Sequence, residues 1–348
     1  MTFIDWAALA NPVLAHPDWS FKDACVVYRQ GLFHIFTSAF DQDRSTVVHL
    51  TTRDWQEYSD FRFQLTGAEL DAVGMCSPNI HVHAGRYYLH LNTWGQPKSA
   101  SNQLYYTASD DLVEWSPLSP VASGLTAGKR CIDLALAHSG DFWVAMWKEG
   151  GTARVAVAGS LDGTWRFVDG ARACLLRANG HDVADDGLTH ENVQLLQIDG
   201  RWYLLSTDYD PHEPWLYVMD GDPAEPASWA RWVEGYRVLV PSERFNAMPR
   251  ELDCVIANDF VRPLFPCWDD PDKVHIVDGL SNAPFIADWR EHDGFFYLLY
   301  AGKNEERRND FRGRLAGGIR REGWPRGWNR LALARSTDLR DWQVPPGA

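Results

Sequence analysis

The feature of this sequence that most constrains its fold is a repeated pattern of strand, glycine turn and aromatic strand. Its copies occupy residues 22–38, 77–93, 131–147, 189–209 and 281–302. The turn glycines of the first four copies are 54 to 60 residues apart and are Gly31, Gly85, Gly140 and Gly200. Hairpins at this interval leave room for four strands per unit, which is typical of β-propeller blades. Five copies predict an all-β, five-bladed β-propeller of four-stranded antiparallel blades.

A second short sequence motif, here called the tryptophan phrase, follows most copies and ends in tryptophan: TTRDW, ASDDLVEW, GSLDGTW and STDLRDW. Because the phrase and the turn glycine recur together, a propeller is favoured over a β-sandwich with coincidental similarity. We expect one domain over residues 1–348, with the tryptophans of this phrase packed inside the blades. The interval from Gly200 to Gly294 is much longer than the others. Residues 222–280 are therefore expected to form an elaborated insertion between blades four and five.

Charge and composition narrow the class of partner. The net charge of −14 argues against nucleic acid or an anionic membrane and favours a neutral ligand, and the 17 tryptophans supply rings that can stack on sugars. The first 13 residues lack the basic and long apolar stretches of an export signal, and no later run has the length of a membrane span. A cytoplasmic protein is expected.

Six scattered cysteines without a CxxC pair predict buried free thiols rather than a zinc site. The oligomeric state is left open.

Polar residues begin each copy of the repeat. The innermost strand of a propeller blade runs along the central channel, so the starts of the five copies are expected to converge on one point. The residues at these starts are Asp23, Asn79, Asp133, Glu191 and Asn282. A single acid at such a position is more often a turn or strand cap. Three carboxylates in step with the repeat predict a shared functional site.

At these positions the chain resembles the five-bladed glycoside hydrolases of family 43 (GH43), the arabinofuranosidase and xylosidase group of the furanosidase clan. Residues 74–91, GMCSPNIHVHAGRYYLHL, are similar to the second-blade pattern Gly-Met-Trp-Ala-Pro-Asp and its following hairpin. The patterns Arg-Asp-Pro, Ile-Asp-Pro and Glu-Gly-Pro correspond to residues 22–24, 132–134 and 191–193. The resemblance extends from about residue 11 to 343. The proline after each acid is absent, and Asn79 stands where aspartate is common.

The resemblance implies a hydrolase of pentose or furanoside-type bonds in oligosaccharides that inverts configuration. Such cleavage needs an acid for the leaving oxygen and a carboxylate that activates water. By the family pattern Asp23 is the base and Glu191 the acid, while the negative charge of Asp133 keeps Glu191 protonated and orients it. Two alternatives stay open. One is a retaining enzyme like the related fructosidases, with Asp23 as nucleophile; the other is a propeller that binds carbohydrate without hydrolysing it.

Further residues are expected to contact the substrate. They are Asn79, His190, His138, Trp94, Trp147 and Asn282, with Trp215 and Trp268 as additional candidate platforms. The sequence contains no phosphate-binding glycine loop, HExxH or nucleophile elbow, so no cofactor is predicted. No metal is predicted either; the family often has a fifth-blade histidine beside a central calcium or water site, and here Asn282 replaces it. The basic stretch 307–330 is expected to be a solvated hairpin of blade five, with an anion site as the alternative.

Overall fold

The structure is a computed structural model that describes residues 3–40, 45–94, 101–186, 190–208, 213–238, 282–303 and 329–347. These residues form five β-sheets, and the fold is the predicted all-β, five-bladed β-propeller. The predicted substrate platform Trp268, the basic residues 307–328 and most of the predicted insertion lie outside the described residues.

The first three blades have four strands each, in chain order across the sheet. Blade one contains β1 (Ser20–Arg29), β2 (Leu32–Phe40), β3 (Ser45–Thr52) and β4 (Phe63–Leu65). Blade two contains β5 (Gly74–His83), β6 (Arg86–Trp94), β7 (Leu104–Ser109) and β8 (Ser119–Pro120). Blade three contains β9 (Cys131–Ser139), β10 (Phe142–Glu149), β11 (Thr152–Ala158) and β12 (Arg166–Arg172).

The last two blades depart from four strands. Blade four contains β13 (Cys174–Leu176), β14 (His190–Ile198), β15 (Arg201–Asp208), β16 (Glu213–Met219) and β17 (Arg231–Arg237), and β13 pairs in parallel with β17. Blade five has three described strands: β18 (Asn282–Asp288), β19 (Phe296–Lys303) and β20 (Asn329–Ser336). Leu14 forms an antiparallel bridge with Leu331 of β20, so the N-terminal segment extends this blade.

Helices are few and short in the described residues. Two are α-helices, α1 (Ser123–Thr126) and α2 (Arg290–Asp293). The 3-10 helices are Trp6–Ala8, Ala68–Leu70, Val183–Asp186 and Pro226–Ala230. No helix of the described part is long and apolar enough to cross a membrane.

The chain divides into two compact units. One comprises Met1–Gln64, Pro211–Pro214 and Val238–Ala348; the other comprises Leu65–Asp210 and Trp215–Arg237. The second unit contains blades two and three and nearly all of blade four. The start predicted for the insertion needs correction, because residues 226–237 form a 3-10 helix and strand β17 of blade four.

Hairpin turns connect the two innermost strands of blades one to four, as the repeat predicts, whereas helix α2 lies between β18 and β19 of blade five. Three turns have left-handed backbone at both central residues, and they are Gln30–Gly31, Ala84–Gly85 and Asp199–Gly200. This conformation matches the twist of paired strands and is accessible to glycine at low cost. The repeated glycines therefore mark the ends of the innermost strands.

Apolar side chains pack between neighbouring blades within each unit. In the second unit, Leu136, Trp143 and Trp147 of blade three pack with residues of blade two, whereas the other face of blade three packs against blade four. Three tryptophans of the repeated phrase have the predicted packing role, since Trp55, Trp165 and Trp342 are buried, whereas Trp115 is half-buried.

Candidate active site

The innermost strand of every blade contains a β-bulge near its start. The strand register shifts after Lys22, Cys76, Ile132, Glu191 and Asn282. In four blades the next residue has a left-handed backbone: Asp23 (φ 52°), Ser77 (φ 54°), Asp133 (φ 56°) and Asn192 (φ 53°). Aspartate and asparagine tolerate this conformation better than most residues. The repeat therefore specifies a bent strand start as well as a strand.

The bulges correct the register assumed from the sequence. Asp23 and Asp133 both occupy the left-handed position of their bulges. In its own strand Glu191 lies one residue before that position, and Asn79 lies two residues after it. Asn282 matches Glu191 rather than the two aspartates. A bulge inserts one residue into one strand only, so strand patterning cannot locate it.

Glu191 and Lys148 form a buried ion pair in the second unit. Lys148 Nζ donates a hydrogen bond to Glu191 Oε1, and their side chains are 10% and 4% exposed. An ammonium in contact with a carboxylate favours its ionised form. This contact opposes the protonated state expected for Glu191. Lys148 was not among the predicted site residues, although a lysine at the end of the apolar strand "FWVAMWK" was an available signal.

Asp133 is held next to Glu191 through the backbone. Asp133 Oδ2 accepts a hydrogen bond of 3.2 Å from the backbone N–H of Asn192, the residue after Glu191. The backbone N–H of Asp133 donates to Asn92 Oδ1 at 3.0 Å. Both acids are almost fully buried, with exposures of 6% for Asp133 and 3% for Glu191. The starts of β9 and β14 thus bring these two predicted residues together.

Second strands supply the polar partners. Asn92 and Lys148 each pair with the last residue before the bulge in the inner strand of their own blade. Each side chain also contacts a residue of the next blade: Asn92 contacts Asp133, and Lys148 contacts Glu191. This position was not singled out from the sequence. In β10 this position follows an apolar run, FWVAMW, which was a detectable signal.

Asp23 lies in the first unit and is also buried, with 5% exposure. Ser38 Oγ donates a hydrogen bond of 3.0 Å to Asp23 Oδ2. Lys22 Nζ lies 3.5 Å from Asp23 Oδ1, and these side chains are 7% and 3% exposed. The position of Ser38 on β2 corresponds to that of Lys148 on β10.

Three other predicted substrate residues lie at the bulge end of blades two and four. Asn79 Nδ2 donates a hydrogen bond of 2.8 Å to the carbonyl of Val193, so it connects β5 with β14. His190 is buried and its ring meets Tyr217 edge-on, with centroids 6.3 Å apart. Trp94 is half-buried, and the guanidinium of Arg130 lies 5.4 Å from the centre of its ring.

Two predicted substrate residues lie elsewhere. Trp147 is completely buried in the apolar cluster of blade three, and an indole without an exposed face cannot stack on a sugar. His138 is five positions after Asp133 on β9, about 16 Å along an extended strand. It stacks on His83, with ring centroids 3.8 Å apart. Asn282 begins β18, and its side chain lies outside the description.

Metal and thiol chemistry find little support in the described residues. These residues contain no group of three or more His, Cys, Asp or Glu side chains that could hold a metal ion. Cys25, Cys76, Cys131 and Cys174 form no disulfide, and the first three are buried as predicted while Cys174 is half-buried; Cys254 and Cys267 lie outside the description. Burial raises the pKa of the Cys131 thiol to about 12, so this group stays protonated at neutral pH.

Comparison with solved structures places this fold among GH43 enzymes. A glycosyl hydrolase from Bacteroides ovatus matches with a TM-score of 0.59 and 12% identity, over 98% of this chain and 95% of the other. The GH43_1 enzyme from Xanthomonas citri, complexed with xylose, matches at 0.57 and 14% identity, over 97% and 94%. A GH43 β-xylosidase/α-arabinofuranosidase from a compost microbial metagenome, with xylotriose, matches at 0.55 and 13% identity, over 96% of both chains.

No protein-family model matches the sequence, and a search of curated proteins gives no match. The structural matches extend over almost the whole chain, but their identities are low. They show a GH43-like five-bladed β-propeller.

Proposed function

We propose that this protein is a glycoside hydrolase that cleaves pentose or furanoside-type bonds in oligosaccharides. The observation that carries the proposal is the pair of buried carboxylates, Asp133 and Glu191, joined at the bulged starts of adjacent inner strands of a GH43-like fold. Paired carboxylates in distinct environments are the requirement of glycosidic cleavage. The pentose preference is supported by structural neighbours that are a β-xylosidase/α-arabinofuranosidase with xylotriose and a GH43_1 enzyme with xylose.

In the proposed mechanism Glu191 protonates the leaving oxygen and Asp23 takes a proton from the attacking water. Asp133 positions Glu191 through its hydrogen bond to the backbone of Asn192. Water then attacks the anomeric carbon from the side opposite the leaving group, and the product is inverted. The mechanism requires Asp23 to reach that water when the sugar is bound.

Lys148 determines where the catalytic proton resides. Its ammonium donates a hydrogen bond to Glu191 Oε1, and both groups are almost fully buried. Transfer of this proton to Oε1 produces a neutral carboxylic acid and a neutral amine. The acid then protonates the leaving oxygen, and the neutral amine of Lys148 takes a proton from solvent, which restores the ion pair before the next turnover.

Hydrolysis of a panel of p-nitrophenyl glycosides tests the proposal, with arabinofuranoside, xyloside, galactofuranoside and fructoside as donors and xylotriose as a natural substrate. Release of sugar from a pentose or furanoside member is expected. Proton NMR of the first-formed sugar anomer separates inversion from the retaining, fructosidase-like alternative. Absence of turnover on every donor, oligosaccharides included, would overturn the assignment.

A non-catalytic carbohydrate-binding propeller is the second candidate, and the ion pair of Lys148 with Glu191 favours it. An ionised Glu191 cannot donate a proton, and a buried pair can serve as fixed polar structure. This candidate predicts sugar binding without hydrolysis by the parent protein. It also predicts that binding survives both Asp23→Asn and Glu191→Gln.

We also propose a cytoplasmic location, with small neutral oligosaccharides as the partner. The net charge of −14 supports a neutral partner over nucleic acid or an anionic membrane.

A further inference from the structure

A groove unrelated to the candidate acids lies between blades two and three of the second unit. It is an open depression with a volume of about 480 Å³, which is within the usual size of small-ligand sites. Its walls include Tyr88, Tyr106 and Trp143, and its rim includes Arg86 and Asp162. Aromatic walls with a few polar groups at the rim are suited to a ligand that has both apolar and hydroxyl faces.

Strand register produces the groove. On one face of blade two, Tyr88 of β6 lies opposite Ala108 of β7, and Tyr106 is two residues before Ala108 on that same face. The small side chain of Ala108 leaves a depression between the two tyrosines. From blade three, Trp143 closes the wall, with its ring centroid 4.7 Å from that of Tyr88 and an interplanar angle of 65°.

Hydrogen-bonding groups surround this depression. Ser119 of β8 lies opposite Tyr106, and Ser116 also lines the groove. Burial, followed by the nearby carboxylate of Asp162, raises the pKa of Tyr106, so its phenol remains a hydroxyl donor at neutral pH. The rim carries one basic and one acidic residue, Arg86 and Asp162, which suits a neutral ligand better than an ion.

The groove is separate from the candidate active site. Trp143 pairs with His138 on β9, five positions from Asp133 and therefore about 16 Å along the strand. From these observations we propose that the groove of Tyr88, Tyr106 and Trp143 is a second saccharide site, which holds a neutral oligosaccharide away from the acids. The proposal requires a sugar ligand but does not require hydrolysis.

The test compares Tyr106→Ala with Tyr105→Ala. Tyr105 is the neighbouring tyrosine of β7, so it projects from the opposite face and is a matched control. Binding is measured by retardation in native gels that contain soluble arabinoxylan, and by calorimetry with xylohexaose and arabinohexaose. The Asp23→Asn background suppresses turnover during the titrations. Melting temperature and circular dichroism establish that each variant is folded.

We expect Tyr106→Ala to weaken binding by roughly fivefold or more, because an aromatic contact is lost, while Tyr105→Ala binds like the parent. Hydrolysis of p-nitrophenyl monosaccharides, which are too small to use a second site, is expected to be the same in both variants. Equal binding by the two variants overturns the proposal, as does a parent protein that binds neither the polymer nor either hexasaccharide. If neither the parent nor any variant hydrolyses p-nitrophenyl glycosides, the proposed function is contradicted. The binding comparison still tests the second site in that case.

Discussion

At the scale of single residues, Glu191 is the group on which the proposed chemistry depends. It is 3% exposed at the start of an apolar strand, where an isolated charge would be costly. Lys148 offsets that cost as a direct ionic partner, and Asp133 fixes the adjacent backbone. The same arrangement must release a proton during hydrolysis, so the residue pair is expected to control both stability and rate.

Replacement of Glu191 by Gln is expected to slow hydrolysis in proportion to the difficulty of the leaving group. Loss of a general acid typically reduces rate by about 10²–10⁴-fold, and activated aryl leaving groups depend on it least. Rates with xylotriose should therefore fall much more than rates with p-nitrophenyl xyloside. An equal loss on both substrates would assign Glu191 to another role.

Replacement of Lys148 by Met is expected to destabilise the protein by about 3–5 kcal/mol, because it leaves a buried carboxylate without its cation. The control is Lys129→Met. Lys129 pairs with Glu149 at 3.3 Å but its side chain is 42% exposed, so a loss below about 1 kcal/mol is expected there. Urea unfolding measures both variants. Addition of Glu191→Gln to Lys148→Met should recover stability, and a Lys148→Met protein no weaker than the Lys129→Met control would contradict the ion pair.

Lys148→Met also carries a kinetic expectation. Without the ammonium the neutral form of Glu191 is favoured, so an acid at this position stays protonated to higher pH. The alkaline limb of the profile of kcat/KM against pH should move upward in this variant. An alkaline limb that stays in place while the acid limb moves upward would mean that Glu191 acts as a base.

At the scale of structural elements, buried His90 and half-buried His81 attach blade two to the inner strand of blade three. His90 Nε2 accepts a hydrogen bond of 3.1 Å from the backbone N–H of Leu136, and His81 Nε2 accepts one of 3.1 Å from that of His138. A protonated imidazole cannot accept either bond. Burial is the main cause that lowers the pKa of His90 to about 3 and that of His81 to about 4.

These histidines predict acid sensitivity of folding. The unfolded chain protonates them near pH 6.5, whereas the folded chain keeps them neutral until about pH 3–4. The unfolded state thus binds more protons across this window, and the free energy of unfolding falls as pH decreases through it. At pH 5 the loss is about 2 kcal/mol per histidine relative to neutral pH.

His90→Gln isolates one contribution, because a glutamine oxygen can accept from Leu136 without titrating. The difference in unfolding free energy between pH 7.5 and pH 5 should shrink by about 2 kcal/mol in this variant. His181→Gln, at an exposed histidine, is the control and should keep the parent difference. An unchanged difference in His90→Gln would mean that the imidazole is already charged in the folded protein.

At the scale of the whole molecule, the sequence predicted the blade number and the hairpins because their signals are local and repeated. A turn glycine and a strand pair are separated by few residues, so each copy reports its own structure. The site was predicted less completely. Asp133 and Glu191 follow from the strand starts, but the bulge register and Lys148 depend on contacts between strands that lie 43 or more residues apart. Periodicity alone does not encode such contacts.

The proposed reaction also makes a prediction that involves both compact units, because Asp23 belongs to one while Asp133 and Glu191 belong to the other. If Asp23 and Glu191 act on the same bond, their contributions to rate should be strongly non-additive, as in other sets of groups that act as a unit. Asp23→Asn should slow hydrolysis of xylotriose and of aryl xylosides by a similarly large factor, since the water loses its base whatever the leaving group. The double variant Asp23→Asn/Glu191→Gln should then be no slower than Asp23→Asn alone. Rate losses that multiply in the double variant would show that the two carboxylates serve separate processes, and binding of xylotriose by calorimetry would confirm that each variant still presents a sugar site.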